Sequence, residues 1–267
     1  MSVTTHERPG VYSEYDASSV VQGRQGRKMV GMAAIHATAP AGVPQTVTSY
    51  EGALIAFGST GGQDMTELIR LALKNGATGV VAVPVADEEG YEAAFAALAA
   101  MDDIGVVICD SVDREVQQSL RDSAAAASAA RRERIAVAAG GAGETVTELL
   151  ERAKALNSER VVLVAPGGTD EEGKAVSGLS LAAAVAGAIA GTTDPALPLG
   201  GAVLSGLYGL ETTYGDNDLD LLIRGGVTPA ERTGGVTSVV RGVTTRTTTD
   251  GTADTTWREL STILVVD

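Results

Sequence analysis

The residues whose types and spacing suit chemistry are few. Gly140, Gly141, Ala142 and Gly143 follow a predicted strand and open a predicted helix. A phosphate-binding turn needs that position, because backbone N–H groups and the helix dipole converge there on an anion. The dinucleotide fingerprint also needs a third glycine three positions after its second, and counted from Gly141 and Gly143 that place is Val146. A second glycine cluster, Gly58 to Gly62, lacks the Lys-Ser or Lys-Thr pair that would hold phosphates and magnesium. A nucleotide-binding α/β enzyme using the Gly140–Gly143 loop is therefore the rival reading, set against a flexible strand-to-helix turn.

Other candidates dissolve on inspection of spacing. Asp216, Asp218 and Asp220 match the first three ligands of a calcium loop, but Leu221 stands where glycine is required and Val227 where a bidentate glutamate is. Helix capping accounts for these aspartates. The two histidines, His6 and His36, lie in an N-terminal arm and at a strand end, so spacing suggests no Ser-His-Asp or His-metal constellation. Cys109, the sole cysteine, sits in an apolar run and reads as a small buried hydrophobe. Acidic runs at 87–89, 102–103 and 170–172 fall in predicted loops or helix starts, where solvation and the helix dipole explain them. Arg131, Arg132 and Arg134 close a helix, a favourable place for positive charge. No catalytic, cofactor-binding or metal-binding residue is assigned.

Composition narrows the classes further. The 267 residues are 44% hydrophobic, enough to bury a sizeable core. A formal charge of −14 opposes a nucleic-acid backbone as partner, and two Phe and one Trp leave little for base stacking. The first ten residues have no signal-like apolar stretch, and Leu179 to Gly191 is too short and too rich in Ala and Gly to span a bilayer. No membrane insertion is expected, and synthesis in the cytosol follows.

The elements that would position these residues alternate. Apolar runs at 29–36, 79–85, 104–109, 134–138 and 160–165 read as strands. Amphipathic helices between them carry Tyr91, Ala94, Phe95 and Leu98, then Val112, Val116 and Leu120, then Val146, Leu149, Leu150 and Ala153 on one face each. This predicts an α/β fold with a mostly parallel sheet and flanking helices. Residues 53–57 read as a short helix with capping-box spacing over 48–51 and a stop at Gly58; a helix with Met65, Leu68, Ile69 and Ala72 on one face follows it and ends at Asn75-Gly76. Beyond Pro166 come an Ala-rich helix over 179–190, a short helix over 218–224 and two β-rich runs, 236–248 and 257–266. Asp250-Gly251 between these runs suggests a C-terminal β-hairpin region. The expected divisions are an extended N-terminal arm over 1–28, an α/β core domain over 29–166 and an α+β region over 167–267. Within the arm, residues 10–15 alternate as a strand does, with no partner nearby in sequence.

The order of motifs resembles that of contractile phage tail sheath proteins, found in phages with contractile tails and in related phage-tail-like bacteriocins. Residues 8–12 (RPGVY) are similar to the family's opening arm. Residues 47–49 leading to Phe57-Gly58, then 73–77 (LKNGA) and the 80–85 strand, follow its first core block. Residues 186–190 with Asp194-Pro195, then 241–245 (RGVTT) and 257–260 (WREL) through 265–267, resemble its later elements. The collinear order, not any one motif, carries the match.

The resemblance implies a non-enzymatic, cofactor-free subunit that polymerises with itself as stacked rings around a tail tube. It also implies contraction that drives the tube through a cell envelope, with the tail tube protein and the baseplate as partners. The location implied is a virion tail or phage-tail-like particle, made in the bacterial host cytoplasm. In the family, terminal extensions add strands to neighbouring subunits; by position Pro9, Gly10, Val11 and Tyr12 would carry that contact. Members continue past the motif corresponding to 265–267 into a second linking strand. The resemblance therefore implies a truncated version, with an unusual short member as the alternative, and a truncated version is expected to be monomeric or weakly associated.

Overall fold

The computed structural model describes residues 29–267. The expected arm over 1–28, with Pro9, Gly10, Val11 and Tyr12, lies outside them.

The strands form where continuous apolar runs allow burial on both sheet faces. They are β1 (Met29–Ile35), β2 (Gln45–Val47), β3 (Val80–Val85), β4 (Ile104–Cys109), β5 (Ile135–Ala139) and β6 (Val161–Ala165). Two-residue strands β7 (Gly168–Thr169), β8 (Ala175–Val176), β9 (Val203–Leu204) and β10 (Gly209–Leu210) follow, then β11 (Val227–Thr233) and β12 (Val236–Val239). The last pair, β13 (Thr248–Thr249) and β14 (Thr252–Ala253), is joined by Asp250 and Gly251. β3, β5 and β6 are buried at every position, as a parallel sheet covered on both faces requires.

Helices α1 (Tyr50–Phe57), α2 (Met65–Lys74) and α6 (Leu179–Gly191) cover one face. Helices α3 (Tyr91–Ala99), α4 (Arg114–Ala129), α5 (Val146–Leu156) and α7 (Asp216–Arg224) cover the other. Among the described residues the main sheet has nine strands in the order β2-β3-β1-β4-β5-β6-β11-β12-β9. β1, β3, β4, β5, β6 and β11 pair in parallel, while β2, β12 and β9 are antiparallel. Because β11 pairs with β6, residues 29–166 and 167–267 share one sheet.

The β-rich reading of 257–266 needs correction. The chain ends in helix α8 (Leu260–Val266), which buries Leu260, Ile263 and Leu264. β-branched residues favour a strand locally, but spacing at i, i+3 and i+4 lets one helical face enter the core, and tertiary burial prevails. Arg160 Nη1 donates to the Asp267 carboxylate at 2.6 and 2.7 Å, which ties the end of α8 to the residue before β6. Asp250-Gly251 turns a hairpin of two residues a side, β13 with β14, but the runs 236–248 and 257–266 form no hairpin with each other: β12 pairs with β11 and β9 instead, and Val243 meets Glu259 in an isolated bridge.

Two caps also differ from expectation. Ser49, not Thr48, caps α1 by accepting from Gly52 N. Asp216 lies inside α7, which Gly215 caps. In the first turn Asp216 and Asp218 meet the helix dipole favourably.

Candidate functional site

β1 has β3 on one side and β4 on the other, so the chain's crossovers diverge between β1 and β4. Open α/β sheets place ligands beyond the strand ends at such a switch point. An open cleft of about 520 Å³ lies there, lined by residues including Ile35, Tyr91, Asp110, Asp113, Arg114 and Arg152.

Asp110, Asp113 and Arg152 are occupied in holding the structure together. Asp110 accepts from the Tyr91 hydroxyl and, at 2.9 Å, from Ile35 N. Burial pushes the Asp110 carboxyl upward, opposed by those hydrogen bonds, and burial beside Asp110 pushes the Tyr91 phenol upward as well. Asp113 caps α4, accepting from Glu115 N and Val116 N. The Arg152 side chain is 6% exposed and pairs with Glu144. It also donates to Val112 O at 2.7 Å and Gln117 Oε1 at 3.0 Å, while Gln117 donates to Ala139 O at 2.8 Å. These bonds tie the loops after β4 and β5 together at the sheet's end.

The Gly140–Gly143 loop opens α5 as expected, but a carboxylate of the same chain fills it. Glu211 accepts from Gly143 N at 2.8 Å and from Gly167 N at 2.9 Å. It takes Gly143 N, one of the loop donors that the anion of the rival reading would need. The glycines have local reasons too. A Cβ on Gly140 would lie 2.7 Å from Leu149 Cδ2, one on Gly141 3.2 Å from Glu144 Oε1, and Gly143 has φ +70°.

The Gly58–Gly62 loop is filled in the same way. Asp64 Oδ2 accepts from Thr60 N at 2.6 Å and Gly61 N at 3.2 Å, and its Oδ1 caps α2 through Glu67 N at 2.8 Å. Burial works to raise the Asp64 pKa, but the hydrogen bonds outweigh it and hold the carboxyl below its ordinary value.

The remaining candidates are structural. His36 Nε2 meets Phe57 O at 2.8 Å, and its Nδ1 accepts from Ala39 N at 2.9 Å. The ring therefore ties the end of β1 to the end of α1. The Cys109 thiol is buried and pushed up to about 12 by desolvation, which leaves it inert. Asp216, Asp218 and Asp220 are helical residues of α7. Among the described residues no group of His, Cys, Asp and Glu is placed to hold a metal ion. None of their helices is long and apolar enough to cross a membrane.

Arg134 serves a different helix from the one it follows in sequence. It is 1% exposed and donates to Leu98 O at 2.8 Å and Met101 O at 3.0 Å, closing the C-terminus of α3. Sequence reasoning missed this role and the Arg152 network. A signal existed for Arg152, a cation spaced with Leu149, Ala153 and Leu156 on the apolar face of α5. Glu211 had none, since its partners lie 68 and 44 residues away.

The fold is similar to those of solved sheath proteins. A sheath tail protein from Desulfitobacterium hafniense matches with a TM-score of 0.73 at 13% identity, over 96% of this chain and 80% of that one. A sheath tail protein from Listeria innocua gives 0.69 at 10% identity, over 90% and 73%. The helical sheath of the anti-feeding prophage in its contracted state gives 0.67 at 19% identity, over 97% and 72%. No curated protein matches the chain. The model of the phage tail sheath protein central domain matches residues 85–245, most of the chain. On that match over residues 85–245, the chain belongs to the phage tail sheath protein family.

Proposed function

We propose that this chain is a structural subunit of a contractile tail sheath, which polymerises as stacked rings around a tail tube. Contraction of that polymer drives the tube through a cell envelope. The family match over residues 85–245 carries the reading. The Gly140–Gly143 loop supports it, because Gly143 N is already bonded to Glu211 of the same chain and is not free for a nucleotide phosphate. The anti-feeding prophage neighbours, a contracted helical sheath and a baseplate, support self-assembly and contact with a baseplate.

The work of such a subunit is done by rearranging contacts between rigid bodies, so it requires no catalytic group. Pro9, Gly10, Val11 and Tyr12 are assigned to strand addition between neighbours, where main-chain hydrogen bonds keep subunits linked while their bodies rotate. The tail tube protein is the inner partner, and the particle is a virion tail or phage-tail-like assembly made in the host cytoplasm.

Negative-stain microscopy of the natural gene product, expressed with its tube protein, tests the reading. Striated tubes or contracted sleeves are expected. A product that stays dispersed at high concentration in the presence of tube would refute it.

A further inference from the structure

Residues 205–215 run from β9 to α7, and not one of them is buried. Polar bonds hold the segment along its length. Ser205 N donates to Asn75 Oδ1 at 2.7 Å, and Ser205 O accepts from Asn75 Nδ2 at 2.9 Å. Arg70 donates to Gly206 O, and Arg232 of β11 donates to Tyr208 O. The Tyr208 hydroxyl donates to Glu171, and β10 pairs with β7. Glu211 fastens the far end. Its N donates to Gly167 O at 3.0 Å, while its carboxylate accepts from Gly143 N and Gly167 N in the loops after β5 and β6.

A segment that buries little apolar surface and is held by exposed hydrogen bonds opens at a smaller free energy than the core beside it. Leu207 and Leu210 are only half-buried against the core, whereas every residue of β5 and β6 is buried. From one side chain, Glu211 supplies two charge-assisted bonds that favour closure. Tyr214 works against it. Its hydroxyl oxygen is buried and has no hydrogen-bond partner among the described residues. Burial, then Glu211, Asp218 and Glu144, push its phenol upward, so ionisation gives no relief. Lifting the segment lets water pair that hydroxyl.

We infer that residues 205–215 are a strap that unlatches as one unit while the sheet stays folded, with Glu211 as its latch and the Tyr214 hydroxyl as the group that favours opening. Opening releases Gly143 N and Gly167 N at the carboxyl ends of β5 and β6, so this edge of the body can change its contacts without unfolding.

Amide hydrogen exchange of the full chain tests it, read at Ser205, Glu211, Gly143 and Gly167 against Val162, Leu163 and Val164 of β6. In the wild type the first four are expected to share one opening free energy, with protection about tenfold or more below that of β6 and a weaker dependence on urea. Glu211→Ala is read at Ser205, which Glu211 does not touch, and should speed exchange there about tenfold. Arg232→Ala is read at Gly143 and Gly167 and should speed both together. Tyr214→Phe should slow all four, the opposite of what a loss of packing produces.

Four amides as protected as those of β6, or four unrelated opening free energies, overturn the strap. Glu211→Ala without effect at Ser205 overturns the latch. Should that variant not fold, Arg232→Ala without effect at Gly143 and Gly167 overturns the single unit by itself. Exchange in Tyr214→Phe that is unchanged or faster overturns the role of the hydroxyl. The strap requires only the fold, so its failure leaves the sheath reading to the microscopy with tube protein.

Discussion

Replacing Gly187 by alanine probes the seam on which one face of the sheet is built. Helix α6 lies against the strands and is itself covered by α2, so ten of its residues are buried. At Gly187 the backbones of α6 and α2 touch. A Cβ built there would stand 2.2 Å from Ala72 O and 3.0 Å from Ala72 Cα. Ordinary van der Waals contact begins at 3.4 Å, so the helices must part by about 1 Å, and the obstructing atoms are backbone that no rotamer change can remove. Overpacking of this kind costs about 1–3 kcal/mol, and the backbone contact places it at the upper end. Alanine recovers about 1 kcal/mol through its better helix propensity. The net loss is about 2 kcal/mol, or roughly 4–8 °C in melting temperature for a chain of this size. Thermal and urea unfolding of Gly187→Ala measure it. A variant as stable as the wild type, or more stable, would refute the argument that backbone contact fixes this seam.

Three further outcomes are expected. Asp64→Asn should lower stability by about 1 kcal/mol at neutral pH, because the negative charge at the start of α2 is lost and an amide NH2 cannot accept from Thr60 N and Gly61 N. Since the folded Asp64 pKa is depressed, its contribution is complete above the unfolded value of 3.8 and disappears as pH falls through the lower folded value. Urea midpoints of the two proteins should therefore converge in acid, and a gap that widens would contradict the hydrogen-bond account. Arg134→Met should cost about 3 kcal/mol by leaving buried carbonyls at the end of α3 unsatisfied, with Arg134→Lys recovering part of it. Calorimetric titration of the wild type with ATP, GTP or NAD should be silent because Glu211 fills the loop, and micromolar binding would revive the rival enzyme.

What could be read from sequence follows from how local the cause is. The runs that became β3, β4, β5 and β6 were legible because continuous apolar stretches between amphipathic helices have few other ways to be buried. Gly58 as the stop of α1 was legible for the same reason, since its φ of +67° suits a residue without Cβ. The collinear motifs likewise named the family that the central-domain match shows.

The two-residue strands β7, β8 and β10 were illegible, because so short a pairing leaves no periodic signal. The stretch 257–266 was misread because its propensity and its burial disagree, and burial wins only when the core is in place to receive Leu260, Ile263 and Leu264.

The sequence by itself determined the parallel sheet and the alternation of helices, since both depend on residue type and spacing along the chain. Tertiary structure decided how the glycine-rich loops are used and which distant loops are joined. Glu211 reaches Gly143 and Gly167, and residues 205–206 reach Asn75 and Arg70, only when the sheet has brought distant loops within hydrogen-bond range.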